Sequence, residues 1–320
     1  MVVVKRRLVW TVLALAVPGL AAVAAVRSSI ARSYDRPYQR AMRRTLDDAQ
    51  ERLAESVDLY QDRSTWENPW VITTRRYEVR TTESFAFGNR IAQGLEVMFG
   101  EFQRTLGSDW EPSAPLKVFV FPNLTAYNAF GEEHGAEHSS FYGSFYAADH
   151  PERPVATYYC GNDTRQNQWV THSAAHQFVA GAFPGQTLQD SVSEGIAAYF
   201  ALYYDFKGAL QRFDALRSPD SMGEVRFIPL DNLLQTPMAQ YGDRPGDRLV
   251  ELGVLSSYLL NYREDTRTQY DDSGAEIRAP FAEYIRTALS GGDPTALPIH
   301  MLVTQDTGYL EDELRAFEFE

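Results

Sequence analysis

Hydrophobic positions change rhythm along this chain, and each change marks an element. Val71-Ile-Thr-Thr74 and Arg76-Tyr-Glu-Val-Arg-Thr81 are short, β-branched and aromatic, which suits a strand or hairpin entry. Phe85 to Leu106 then repeats apolar residues at helical spacing. Leu116-Lys-Val-Phe-Val-Phe121 reads as a buried strand closed by Pro122, and Leu124 to Glu133 as a helix. Phe141 to Ala147 and Val155 to Tyr159 are aromatic strands joined by a polar loop holding Pro151 and Pro154, a hairpin signal. Beyond Gly161 the pattern becomes helical. Asp163-Thr-Arg-Gln166 has the form of a capping box opening one helix. Phe183-Pro-Gly-Gln186 breaks it, and a second helix carries Glu194. Asp247 to Tyr262 and Pro280 to Leu289 follow, with Pro280 in a first turn, where its missing N–H costs nothing. Strands first and helices afterwards predict an α+β fold: a mixed sheet with helices, then a mainly helical C-terminal half.

The beginning of the chain follows other rules. Lys5, Arg6 and Arg7 precede an uncharged apolar run, Leu8 to Val26, interrupted by Pro18-Gly19 and ending near the small-x-small triplet Ala22-Val23-Ala24. Two readings stay open: a cleaved signal peptide, or a membrane anchor, since about 17–25 residues span a bilayer. Six arginines between Arg27 and Arg44 outnumber the basic tip, but the tip is very short, and an extracytoplasmic domain, secreted or membrane-anchored, is expected. From Arg36 to Tyr60 a narrow stripe (Ala41, Leu46, Ala49, Leu53, Val57) on a charged background predicts a solvated helical spacer. The expected division is signal peptide or anchor over 1–26, spacer and linker over 27–69, and a folded domain over 70–320.

Composition narrows the choice of partners. The chain of 320 residues is 44% hydrophobic and 23% charged, ordinary globular material. A formal charge of −13 argues against nucleic acid. Cys160 is the sole cysteine, which excludes an internal disulfide and a cysteine-based zinc cluster and suits a packed residue better than a nucleophile.

The chemistry concentrates in His172-Ser-Ala-Ala-His176 and Glu194-Gly-Ile-Ala-Ala-Tyr-Phe200. Histidines four apart on a helix project from one face. A glutamate on the next helix would complete a three-ligand zinc set with one open position. Rival readings compete for the same residues. Ser191-Val-Ser-Glu194 is itself a capping box that would turn Glu194 back to its helix start. His134-Gly-Ala-Glu-His138 matches an inverted metal motif but sits in loop-like sequence. Ser173 beside a histidine is formally a Ser–His pair, without a nucleophile elbow.

The ordered set of strand, helix, strand, helix, aromatic hairpin, His-x-x-x-His helix and Glu-Gly-x-Ala helix resembles the gluzincin zinc peptidases, and more closely an uncharacterised peptidase-MA-like family. The resemblance covers about residues 70 to 318 and implies a zincin-like fold. It implies His172, His176 and Glu194 as zinc ligands, the metal acidifying a water and polarising a carbonyl. It also implies Tyr241 as a candidate oxyanion donor and Val155–Tyr159 as an edge strand that pairs with an extended peptide. Two departures stand out. Ser173 occupies the general-base position, and such a group contributes about 10²–10⁴ in rate. Ala198 replaces a carboxylate that orients a ligand imidazole, a loss that typically costs about 10–100-fold in affinity or activity. Ser173→Glu is expected to be tolerated, since the usual occupant of that position points into the open cleft, and to restore at most roughly 10²–10⁴ in rate, with Ala198→Glu adding to it. The expectation is an exported or membrane-tethered, catalytically impaired pseudo-metallopeptidase that retains weakened Zn²⁺ and binds peptide or protein in its groove, with the membrane met through residues 8–26 if they are uncleaved. The alternatives are an active hydrolase in which another carboxylate, with Glu132, Glu133 and Glu137 near enough in sequence to consider, or a second protein replaces the base, and a structural domain without metal.

Overall fold

Side-chain alternation in one strand shows how the layers are arranged. In Leu116–Phe121 (β3), Val118 and Val120 join the main core, whereas Phe119 and Phe121 join a second cluster on the opposite face. Helices cover both faces of the sheet. The computed structural model describes residues 63–134, 143–186, 188–217, 233–234, 245–261 and 280–294. The leader, the spacer helix, Tyr241 and His138 lie outside these residues. Among the described residues no helix is long and apolar enough to cross a membrane.

Five strands form one mixed sheet. Trp70–Thr73 (β1) pairs antiparallel with Tyr77–Thr81 (β2), which runs parallel to β3. Val155–Tyr158 (β5) lies parallel to β3 on its other side, and Ser144–Tyr146 (β4) closes the sheet antiparallel to β5. The order is β1-β2-β3-β5-β4. The hairpin expected from the sequence is therefore present, but among the described residues β4 is the edge strand on this side, not Val155–Tyr159. Periodicity identifies both strands and is silent on which of them finds a second neighbour.

Each parallel strand leads into a helix whose start is capped locally. Ser84 accepts from Phe87 N at the head of Phe85–Leu106 (α1), and Asn123 accepts from Ala126 N at the head of Leu124–Glu133 (α2). Asn162 does the same for Arg165 N in Asp163–Ala182 (α3). The expected capping box is thus displaced by one residue, and Gln166 is free for other work. Helix α1 stops at Gly107, whose φ of 67° suits glycine. Its buried stripe, Phe87, Ile91, Leu95, Met98, Phe99, Phe102 and Leu106, packs with α3 on one sheet face. Helix α2 and Trp66 cover the other, Trp66 stacking on Phe121 at 4.6 Å although the sequence places it in the linker. Full burial of such rings contributes about 1.5–3 kcal/mol each.

The helical half docks through aromatics and small residues. Phe178 of α3 lies 5.0 Å from Phe99, and Phe200 of Asp190–Ala201 (α4) lies 4.6 Å from Phe102. A short 3₁₀ turn, Leu202–Tyr204, leads to Phe206–Arg217 (α5). Pro245–Asn261 (α6) crosses α4 closely. A Cβ at Gly195 would meet Ser256 Oγ at 2.5 Å, and one at Gly253 would meet Ala198 Cβ at 3.1 Å. Pro280–Leu289 (α7) completes the described elements.

Candidate metal centre

Helix α3 presents two adjacent stripes to two different neighbours. Gln166, Ser173 and Gln177 point to the sheet and are nearly fully buried. Gln166 Nε2 donates to Thr157 Oγ1 at 2.8 Å, and its Oε1 accepts from Cys160 N at 3.2 Å. Gln177 Nε2 donates to the carbonyls of Arg153 and Lys117, at 2.8 and 3.2 Å. Ser173, 1% exposed, lies 2.7 Å from Ser144 Oγ on β4. Ser144 in turn donates to Trp169 O at 2.6 Å. A hydroxyl has one hydrogen, so Ser173 is the donor in its bond with Ser144.

The other stripe carries His172 and His176. Their Nε2 atoms lie 3.3 Å apart, and both face Glu194 on α4. His172 Nε2 is 3.1 Å from Glu194 Oε2, and His176 Nε2 is 3.4 Å from Glu194 Oε1. These ligand atoms all lie within 4.8 Å of one another. The three side chains are 12%, 25% and 24% exposed, so the group is recessed yet reachable. Glu194 faces the imidazoles rather than its helix start. Helix α4 begins after Gln189 with no side-chain cap, and Ser191 donates to Leu234 O instead.

The electrostatics follow from this convergence. Burial lowers the His172 value, and the hydrogen bond and charge of Glu194 only partly offset it. Burial would lower His176 too, but the attraction of Glu194 outweighs it and the net shift is upward. Burial alone would raise the Glu194 carboxyl; the charge on His176 and the bonds from both rings hold it far below the usual range.

Zinc–nitrogen and zinc–oxygen bonds of about 2.0–2.2 Å in a tetrahedron separate ligand atoms by roughly 3.3–3.5 Å. The 3.3 Å between the two Nε2 atoms meets that requirement, and each nitrogen has one Glu194 oxygen at a similar distance, Oε2 at 3.1 Å from His172 and Oε1 at 3.4 Å from His176. With both Nε2 atoms turned inward, the outer nitrogen of His176 faces Ser193, whose Oγ is 3.5 Å from Nδ1.

Both departures noticed in the sequence have a packing explanation. Position 173 does not open on a cleft, because its hydroxyl is enclosed against β4. Ala198, 3% exposed, faces Gly253 with no volume for a carboxylate. Glu132 and Glu133 sit on α2, across the sheet from α3; Glu137 lies outside the described residues. His134 ends α2 on that same far side, 4.7 Å from His150. Cys160 is half-buried and free, its Sγ 3.4 Å from Asn162 O.

Sequence reasoning missed Ser144, Ser193, Gln166 and Gln177. A small Gly143-Ser144 pair inside an aromatic strand was the one available signal: Gly143 has φ 66°, and a Cβ there would meet the Trp169 ring at 2.3 Å. Comparison with family models finds no match, and neither a curated protein nor a solved structure matches the chain.

Proposed function

We propose that His172, His176 and Glu194 hold a zinc ion in a gluzincin-like domain that has lost most of its peptidase chemistry and serves as a binding module. The observation that carries this reading is the convergence of the three side chains: the two Nε2 atoms lie 3.3 Å apart, and each has one oxygen of the Glu194 carboxylate at 3.1 or 3.4 Å. Two imidazoles and a carboxylate suit zinc among the common divalent ions. Bound there, zinc supplies Lewis acidity toward a carbonyl or a water. The chain's own residues supply less. Ser173 cannot take a proton near neutral pH, and its hydroxyl is committed to Ser144. Neither Glu132 nor Glu133 replaces it, since both lie beyond the sheet. Among the described residues strand β4 pairs with β5 alone, so its outer edge is the place for an extended peptide or protein segment to pair. The basic tip and the apolar run Leu8–Val26 support an exported or tethered location.

The test is zinc content of the purified chain after reconstitution, measured beside His176→Ala and combined with turnover of a broad peptide library. Zinc in the wild type, little in His176→Ala and negligible turnover is the expected result. Equal zinc in both chains would remove the metal site, and rapid turnover would restore the hydrolase reading. Ser173→Glu is expected to gain no activity, because the added carboxylate meets β4 rather than an open cleft.

A further inference from the structure

The link between Ser144 and the metal helix has a consequence for the ligands. We infer that Ser144 is a positioning residue for the metal centre, acting through Ser173 and the Trp169 carbonyl; this rests on the zinc reading above. Trp169 and Ser173 are one helical turn apart and bracket His172, so a single side chain on β4 grips α3 at the level of the ligands. Both hydroxyls are shielded from water, Ser144 at 3% and Ser173 at 1% exposure, so no solvent competes for these bonds.

The geometry explains why that grip matters. Side-chain tips lie about 5–6 Å from a helix axis, so turning α3 by ~20° would move the imidazole nitrogens by roughly 2 Å. Zinc coordination tolerates about ±0.2 Å. Gln166 and Gln177 fix α3 toward its beginning and beyond His176, on β5 and the starts of β3 and β5. The Ser144 bond sets its rotation between them. Gly143 makes the approach possible, since any Cβ there would collide with Trp169. Position 173 therefore holds the ligand helix to the sheet edge.

The experiment uses the full chain. Zinc affinity is measured by chelator competition, and the coordination geometry by the visible spectrum of the cobalt-substituted protein. Ser144→Ala is expected to weaken zinc about 10–100-fold, as lost supporting bonds do, and to alter the cobalt bands. Ser144→Thr should recover most of the affinity. Thr81→Val, which removes an equally buried hydroxyl on β2 away from the site, should leave both readouts unchanged. If Ser144→Ala does not fold, Ser173→Ala tests the same link from the helix side. Zinc in the wild type with unchanged affinity and spectrum in these variants would overturn the positioning role alone. Absence of zinc in the wild type would overturn the metal site itself.

Discussion

The two stripes of α3, one residue apart in sequence, are held by different forces. Gln166, Ser173 and Gln177 on the sheet side each have fixed partners on strands, and water is excluded from them. His172 and His176 face α4, partly exposed, and are held chiefly by Glu194 and by each other. The first stripe is scaffold and loses stability when altered. The second gathers polar groups whose best common partner is a cation. A helix can do both because 100° of rotation per residue moves a neighbour to a different environment.

The comparison breaks most severely if a carboxylate fits where packing leaves none. Ala198→Glu would bury a charge against α6, where the Gly253 Cβ position lies 3.1 Å from Ala198 Cβ. The expected loss is about 3–5 kcal/mol, seen as a collapsed thermal transition by circular dichroism. A melting temperature near that of the wild type would show that α4 and α6 can separate.

Next in size is the response of the site stripe to metal. Zinc at 100 times its dissociation constant should stabilise the wild type by about 2.7 kcal/mol. His172→Ala and Glu194→Ala should show none of that gain. A wild-type melting curve indifferent to zinc would contradict the division into scaffold and site.

The sheet stripe should behave in the opposite way. Gln177→Ala leaves the Arg153 and Lys117 carbonyls without their side-chain donor and should cost about 1–3 kcal/mol in urea unfolding. Its zinc affinity should change far less than that of His172→Ala. Equal losses in both properties would merge the two stripes into one unit.

The smallest effect lies on the far face of the sheet. Burial by itself raises the Glu78 carboxyl, but bonds from Lys117 at 2.8 Å and Arg80 at 3.0 Å outweigh it and the net shift is downward. A carboxyl depressed in the folded state contributes stability that is complete above its unfolded value, about 4.3, and is lost as pH falls through the folded one. Glu78→Gln should therefore lower stability by at most about 1 kcal/mol at pH 7 and reduce the decline below pH ~4. An unchanged acid limb in scans at several pH values would exclude this contribution.

Local pattern alone determined much of the architecture. The bounds of Phe85–Leu106, Leu116–Phe121, Leu124–Glu133 and Pro280–Leu289 agree with the structure to the residue, because caps, prolines and hydrophobic period act within a few positions. The shared face of His172 and His176 follows from helical spacing in the same way. Tertiary structure decided what lies between elements. It made β4 the edge strand, turned Ser173 onto Ser144, left no room beside Ala198, and pointed Glu194 at the histidines instead of its own helix start. Each of these depends on which strand or helix arrives as a neighbour from tens of residues away. Such choices are settled by summed burial and close packing across the whole domain, and no short window of sequence contains them.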